Sequence, residues 1–302
     1  MAKIALSMIT HNSLTTVGRD VLNEVLRASL QVPYDLIILI DDGNDGTRKI
    51  ISEFADEHGK ELIIEGSRLY GGVPRPTRAT ARQTAIDVFL EGASHDYLLF
   101  LDDDVVLNPG WWVEFTEKAA SPNWGIAWGV EYPLDCGGGC RDGRVRAFLT
   151  RGGEHDTVHP RHVLREIRDA YGRVPPWLHA YEDAWLFYAT RCLGYGYLII
   201  ETGARHYQAR RLYSGGVIES VRGAIAMKRL EHRLAATYGI VVAELGADQP
   251  TPRKVAKLIM GLASLPVQVK RFGLRVGLAR YMFRVWFWAS ALTKKLTPPN
   301  PC

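Results

Sequence analysis

Three consecutive carboxylates, Asp102, Asp103 and Asp104, close the apolar run Tyr97 to Leu101. Five apolar residues in a row read as a strand buried on both faces. Carboxylates at the carboxyl end of such a strand stand where open α/β sheets bind ligands, so they point to a hard divalent cation and a phosphate-bearing ligand. A single Asp there would be an ordinary turn cap. Three together repel one another, and at least one pKa rises unless a cation or strong donors offset the charge. Acid falls in the same kind of place after a second apolar run, Tyr34 to Ile40, which ends in Asp41-Asp42-Gly43. A third acidic group, Glu182-Asp183, opens a helical stretch, where acids also favour the helix dipole.

The elements that must carry these groups follow from periodicity. Lys3 to Ile9 reads as a first buried strand, and Val17, Val21, Val25, Leu22 and Leu26 mark an amphipathic helix that stops before Pro33. A helix follows the second strand to about Gly59, then a short strand from Glu61 to Glu65, a Gly- and Pro-rich loop, and a helix from about Thr77 to Glu91. Beyond the three aspartates, Asn108-Pro109 turns the chain into a helix. Gly125 to Glu131 and Tyr197 to Glu201 read as strands, and Arg161 to Tyr171 as a helix. The loop from Tyr132 to Arg144 is expected to be mobile and to close over a substrate. Strands alternating with helices imply an α/β fold with a mainly parallel central sheet and helices on both faces. The first strand ends in Thr10-His11-Asn12-Ser13 and not in a G-x-G-x-x-G turn, which disfavours a nicotinamide or flavin site.

At 302 residues, 47% apolar and 23% charged, the chain can bury a full core. Its net charge of +4 hides an asymmetry: residues 251–302 hold ten Lys or Arg and no acid, which leaves 27 basic against 33 acidic residues before them. Four cysteines are too few and too scattered for a disulfide scaffold, and Cys136-Gly-Gly-Gly-Cys140 reads as a loop of free thiols. The chain starts on a strand-like KIALSMI with no signal peptide, so a cytosolic active domain is expected.

Taken in order, the Asp-Asp-Gly turn, the Asp-x-Asp and the Glu-Asp resemble the GT-A glycosyltransferases of family 2, over roughly residues 3 to 212. The resemblance implies a GT-A catalytic domain over residues 1–215, Mn²⁺ or Mg²⁺ as cofactor, and a nucleotide sugar as donor. Thr10-His11-Asn12 is similar to the turn that meets the nucleotide base, with His11 where the family usually has Tyr. Asp42 looks like the base-contacting aspartate and Arg82 like the nucleotide-binding arginine, while Asp103 and Glu182 join the substrate-binding set. Asp104 and Asp102 look like the cation-binding pair, His206 like the histidine completing the metal site, and Asp183 like the general base of an inverting displacement. Gln208-x-x-Arg211 is similar to the Gln-x-x-Arg segment of cellulose-synthase-like enzymes. The same Asp102-x-Asp104 also fits the nucleophile motif of haloacid-dehalogenase-type phosphatases, but no lysine occurs from Ala119 to Met227 to serve that chemistry. A non-catalytic membrane adaptor on a transferase fold is the third reading.

Residues 216–302 read as a helical, membrane-associating region. Two basic, apolar segments, Val255 to Val269 and Phe272 to Leu292, are interrupted by Lys257, Arg275, Arg280 and Arg284, so neither offers an ordinary spanning helix. Basic amphipathic helices with aromatics such as Trp286 and Trp288 suit an anionic membrane interface, whereas the aromatic and aliphatic density speaks against nucleic acid. The expected protein moves a sugar, with mannose from GDP-mannose the first donor to test, to a dolichyl- or polyprenyl-phosphate-linked acceptor. Its catalytic domain is expected on the cytoplasmic side of a membrane, with the tail forming part of the acceptor site.

Overall fold

The computed structural model describes residues 3–133, 155–176, 182–207 and 251–270, with isolated positions up to 285. Contacts divide the chain into two compact units, residues 1–178 with 182–208, and residues 179–181 with 209–302.

The first unit is built on an eight-stranded sheet. Its strands are β1 (Ile4–Thr10), β2 (Leu36–Asp41), β3 (Glu61–Glu65), β4 (Tyr97–Leu101), β5 (Val105–Leu107), β6 (Trp124–Pro133), β7 (Asp156–Pro160) and β8 (Gly196–His206), in the order β3-β2-β1-β4-β7-β6-β8-β5. From β3 to β4 the sheet is parallel, as the alternation of strands and helices requires. Beyond β4 it is mixed: β7 runs antiparallel to both β4 and β6, β6 and β8 are parallel, and β5 returns antiparallel to β8. The mainly parallel sheet read from the sequence therefore holds for one half only. The reason lies in β7, whose Asp-Thr-Val-His-Pro sequence lacks the apolar run of a buried strand although every residue in it is buried.

The helices are α1 (Ser13–Thr16), α2 (Arg19–Ser29), α3 (Thr47–Glu57), α4 (Arg78–Gly92), α5 (Trp111–Ala119), α6 (Arg161–Tyr171) and α7 (Glu182–Cys192). The single first helix expected from the sequence is two, because Gly18 at φ 100 breaks it where a side chain would be strained. Helix α4 starts at a capping box in which Thr77 and Thr80 satisfy each other's orphan backbone N–H groups. At its other end Arg161 donates to the carbonyls of Phe89 and Leu90 at 3.0 and 2.8 Å. Residues 79 to 90 of this helix are all buried, polar ones included. Tyr97 stacks on Trp124 and meets Phe115 edge-on, and Trp111 stacks on Phe115 in the same aromatic cluster. Cys192, at the end of α7, is disulfide-bonded, and its partner lies outside the described residues, as do Cys136, Cys140 and Cys302.

In the second unit, α8 (Thr251–Ala263) carries Val255, Ile259 and Leu262 at helical spacing, and all three are exposed, as is Met260. Among the described residues no helix is long and apolar enough to cross a membrane. Trp286 and Trp288 lie outside the described residues.

Candidate active site

The carboxyl ends of β1 and β2 meet in a turn held by local hydrogen bonds. Thr10 donates its hydroxyl to Asp41 Oδ1 at 2.7 Å, Gly43 N–H donates to the same oxygen at 3.1 Å, and Arg48 Nε reaches Asp41 Oδ2 at 2.8 Å. Asn12, in the left-handed region at φ 56, accepts Asn44 N–H on its Oδ1 at 2.8 Å. Gly43 packs against Asn12 where a Cβ would collide with the backbone, so this Gly is required by close approach. Asp41 is thus buried and locally satisfied. Its neighbour Asp42 is half-buried and turned to the next loop, where it accepts Ser67 N–H at 2.8 Å and Ser67 Oγ–H at 2.5 Å. His11 is exposed on the same rim.

The three central aspartates separate by side. Strand β5 returns within three residues of them, so they form a tight turn between β4 and β5 and not a plain strand end. Asp103 is buried and accepts the hydroxyl of Ser13. Asp102 and Asp104 face two histidines. Asp104 Oδ1 lies 3.3 Å from His206 Nε2, and Asp102 Oδ2 lies 3.3 Å from His155 Nδ1. The two imidazoles approach with centroids 4.0 Å apart. Backbone bonds fix this register: Asp102 N–H donates to His155 O at 2.9 Å and Tyr207 N–H to Asp104 O at 2.9 Å. Burial would push the Asp102 carboxyl up, but the His155 hydrogen bond and charge, with Arg82 and Arg78 nearby, outweigh it and hold the pKa at about 2. Asp102 is therefore ionised at neutral pH.

His206 reaches the cluster because β8 runs five residues past the stretch expected from the sequence. Side chains alternate along a strand, so Arg205 and Tyr207 point away from His206. Both meet Glu24 of α2, Arg205 Nη2 at 2.9 Å and Tyr207 Oη at 2.5 Å. One carboxylate thus clasps the residues on either side of His206.

Arg82 and Glu182 form a third group, an ion pair of 3.4 Å in which each side chain is 4% exposed. The guanidinium lies over the Phe100 ring at 4.6 Å. Burial, followed by the Arg82 charge, pushes the neighbouring His159 down to about 3, so it is neutral. Asp183 follows Glu182 in the first turn of α7 and is buried. Gln208 and Arg211 lie outside the described residues.

Of the residues expected from the sequence, the structure gathers Asp102, Asp104 and His206 in one cluster, ties Arg82 to Glu182, and places Asp42 with Ser67. Sequence reasoning missed His155, Glu24 and Ser67. The signal for His155 was present in Glu-His-Asp before a short alternating stretch, and the other two carry no sequence mark. Among the described residues no three His, Cys, Asp or Glu side chains close into a metal cage. Asp104 and His206 offer an O and an N donor 3.3 Å apart, which fits a cation that keeps most of its positions for phosphate and water.

Residues 6–133 match the family model described as glycosyl transferase family 2. No curated protein matches the chain. Among solved structures, a mannosyltransferase from Pyrobaculum calidifontis in complex with GDP-Man and Mn²⁺ is similar at 15% identity and TM-score 0.56, over 99% of this chain and 88% of that one. TarS 1-349 from S. aureus is similar at 14% identity and TM-score 0.50, over 97% of this chain and 82% of that one. At these identities the two structures establish the fold, which is GT-A.

Proposed function

We propose that the protein, a glycosyltransferase whose residues 6–133 match the glycosyl transferase family 2 model, moves a sugar from a nucleoside diphosphate donor to a lipid-linked acceptor at a membrane surface, with inversion at the anomeric carbon. The observation that carries the reading is the Asp104–His206 pair beside an ionised Asp102, at the turn the family match includes on the aspartate side. These residues would hold Mn²⁺ or Mg²⁺, which when bound offsets the negative charge gathering on the departing diphosphate. Asp42 and His11 face the nucleoside, with Ser67 fixing both carboxylate oxygens of Asp42. Asp183 takes the proton of an attacking hydroxyl, an effect of about a hundredfold to ten-thousandfold on rate. GDP-mannose is the first donor to test, supported by the resemblance and by the ligand of the Pyrobaculum structure.

Membrane association is supported by the exposed apolar stripe of α8 and by ten basic residues without an acid in residues 251–302. Anionic lipid attracts each nearby basic residue by about 1 kcal/mol, so even half of them localise the protein, and the cytoplasmic leaflet carries that charge. Screening nucleotide sugars for released nucleotide tests the donor: turnover with GDP-mannose above UDP sugars is expected, and the reverse order replaces the donor. A chain ending at Asp248 tests the tail by flotation with anionic liposomes and by transfer to short and long-chain acceptors. The truncated protein should lose flotation and long-chain transfer but keep transfer to a short acceptor. Unchanged flotation makes the tail a structural layer.

A further inference from the structure

Helix α4 is buried from Ala79 to Leu90, yet it carries Arg82, Gln83 and Asp87 within that span. All three are tied to the chain that leads into α7 or to α7 itself. Gln83 Nε2 donates to Asp87 Oδ1 at 2.8 Å, and because a carboxylate only accepts, the amide oxygen must face the other way. There it accepts Val174 N–H at 2.9 Å. Asp87 Oδ2 accepts from Tyr70 Oη at 2.8 Å and from Arg173 Nε at 3.2 Å. Thr77, the cap of α4, donates to Pro176 O at 2.6 Å. One residue away from Gln83, Arg82 Nη2 meets Glu182 Oε1, the first residue of α7, at 3.4 Å. A single rigid helix therefore holds residues 173–176 and the first turn of α7, which carries Asp183.

We propose that Arg82 is a positioning residue for the acceptor side of the reaction: through Glu182 it sets the first turn of α7 and with it the Asp183 carboxylate, and it does not grip the donor diphosphate. This rests on the reading of Asp183 as the base. The resemblance assigns this arginine to the nucleotide, but the burial and the partner favour the other role. Both charges are almost fully removed from water, and Arg82 Nε and Glu182 Oε2 have no hydrogen-bond partner among the described residues, so the ion pair with Arg82 compensates Glu182, while the Arg82 charge also bears on Asp102. Turning the guanidinium toward a phosphate would leave a buried carboxylate uncompensated, which proteins avoid. The Phe100 ring lies under the guanidinium and favours its present plane. A planar fork held on both sides suits the fixing of a neighbour better than the capture of a mobile ligand.

The test uses the full chain with Arg82→Gln, Glu182→Gln and the double variant, measuring nucleotide affinity with Mn²⁺, kcat and donor KM for transfer to a hydroxyl acceptor, and melting temperature. In Arg82→Gln, kcat should fall by about tenfold to a hundredfold, within the full effect of a general base. Nucleotide affinity and donor KM should stay within about twofold. The double variant, with a neutral amide pair, should regain part of the lost kcat, because neighbours in one network are not additive. If Arg82→Gln does not fold, Glu182→Gln alone carries the test, since it weakens the same tie at nearly constant shape. Its kcat should then fall at constant nucleotide affinity, and an unchanged kcat overturns the proposal. A more than tenfold loss of nucleotide affinity in Arg82→Gln without recovery in the double variant also overturns it. Failure of the underlying reading is distinct: Asp183→Asn would then keep wild-type kcat, or the wild-type protein would release no nucleotide from any sugar donor.

Discussion

Asp41 and Asp104 are both buried carboxylates, one closing β2 and the other in the turn between β4 and β5, and their surroundings differ in kind. Asp41 is met by a hydroxyl, a backbone N–H and a guanidinium from within seven residues of itself or from the adjoining strand. Asp104 faces an imidazole from β8, a hundred residues along the chain, beside a second carboxylate–imidazole pair. The first arrangement completes a turn. The second sets metal-type donors side by side, where a cation could add to the compensation that the neighbouring His155, Arg82 and Arg78 give Asp102. Acid at a strand end therefore marks a site only where its partners come from distant elements and are themselves ligand types.

Variants can break this contrast. Asp104→Ala should abolish transfer with little change in melting temperature, whereas Asp41→Ala should leave Thr10 and Gly43 donors unsatisfied and cost about 1–3 kcal/mol in denaturant unfolding while cation binding persists. A loss of stability in both, with cation binding kept in both, would make the two carboxylates alike. Asp183→Asn should lower kcat by about a hundredfold to ten-thousandfold with nucleotide binding kept. Full activity of that variant would remove Asp183 as the base, the outcome expected where the acceptor is a phosphate already ionised at neutral pH. Glu24→Ala, which releases the clasp around His206, should weaken Mn²⁺ binding about tenfold by paramagnetic resonance, in line with other supports of metal ligands. Unchanged affinity would mean that strand pairing with β5 and β6 fixes His206 without the clasp.

The smallest effect lies outside the site. Burial would raise the Glu114 carboxyl, but Lys118, Thr202 and the backbone N–H groups of Thr202 and Glu201 hold it down at about 2. The group contributes stability that is present above the ordinary carboxylate range and lost as pH falls from about 4.5 toward 2. Glu114→Gln should flatten the stability profile across that window by about 1 kcal/mol, because solvent screens the partly exposed pair with Lys118. An equally steep profile would assign the acid sensitivity to other carboxylates.

The parallel half of the sheet was legible because β1, β2 and β4 are continuous apolar runs, and the aspartates after them were legible because charge interrupts those runs. The other half was not. Strand β7 hides its polar residues by partnering them, as when Trp111 Nε1 and Gly129 N–H both donate to Asp156 Oδ2, and no local pattern reports such long-range satisfaction. His155 was missed although Glu-His-Asp marks it, because only the pairing of β7 with β4 brings it to Asp102, and β8 was cut short because Thr202-Gly203-Ala204 reads as a break although pairing with β5 and β6 carries the strand through. Arg82 shows the opposite case: its position was flagged by resemblance, but only the packing reveals Glu182 as its partner.

In the proposed function, Asp104 and His206 would hold the cation that binds the donor diphosphate. Calorimetric titration of GDP into the wild-type protein, Asp104→Ala and His206→Ala, each with and without Mn²⁺, tests it directly. Mn²⁺ is expected to strengthen GDP binding in the wild type, and both variants are expected to lose this enhancement while remaining folded. Retention of the full Mn²⁺-dependent enhancement in Asp104→Ala would contradict it.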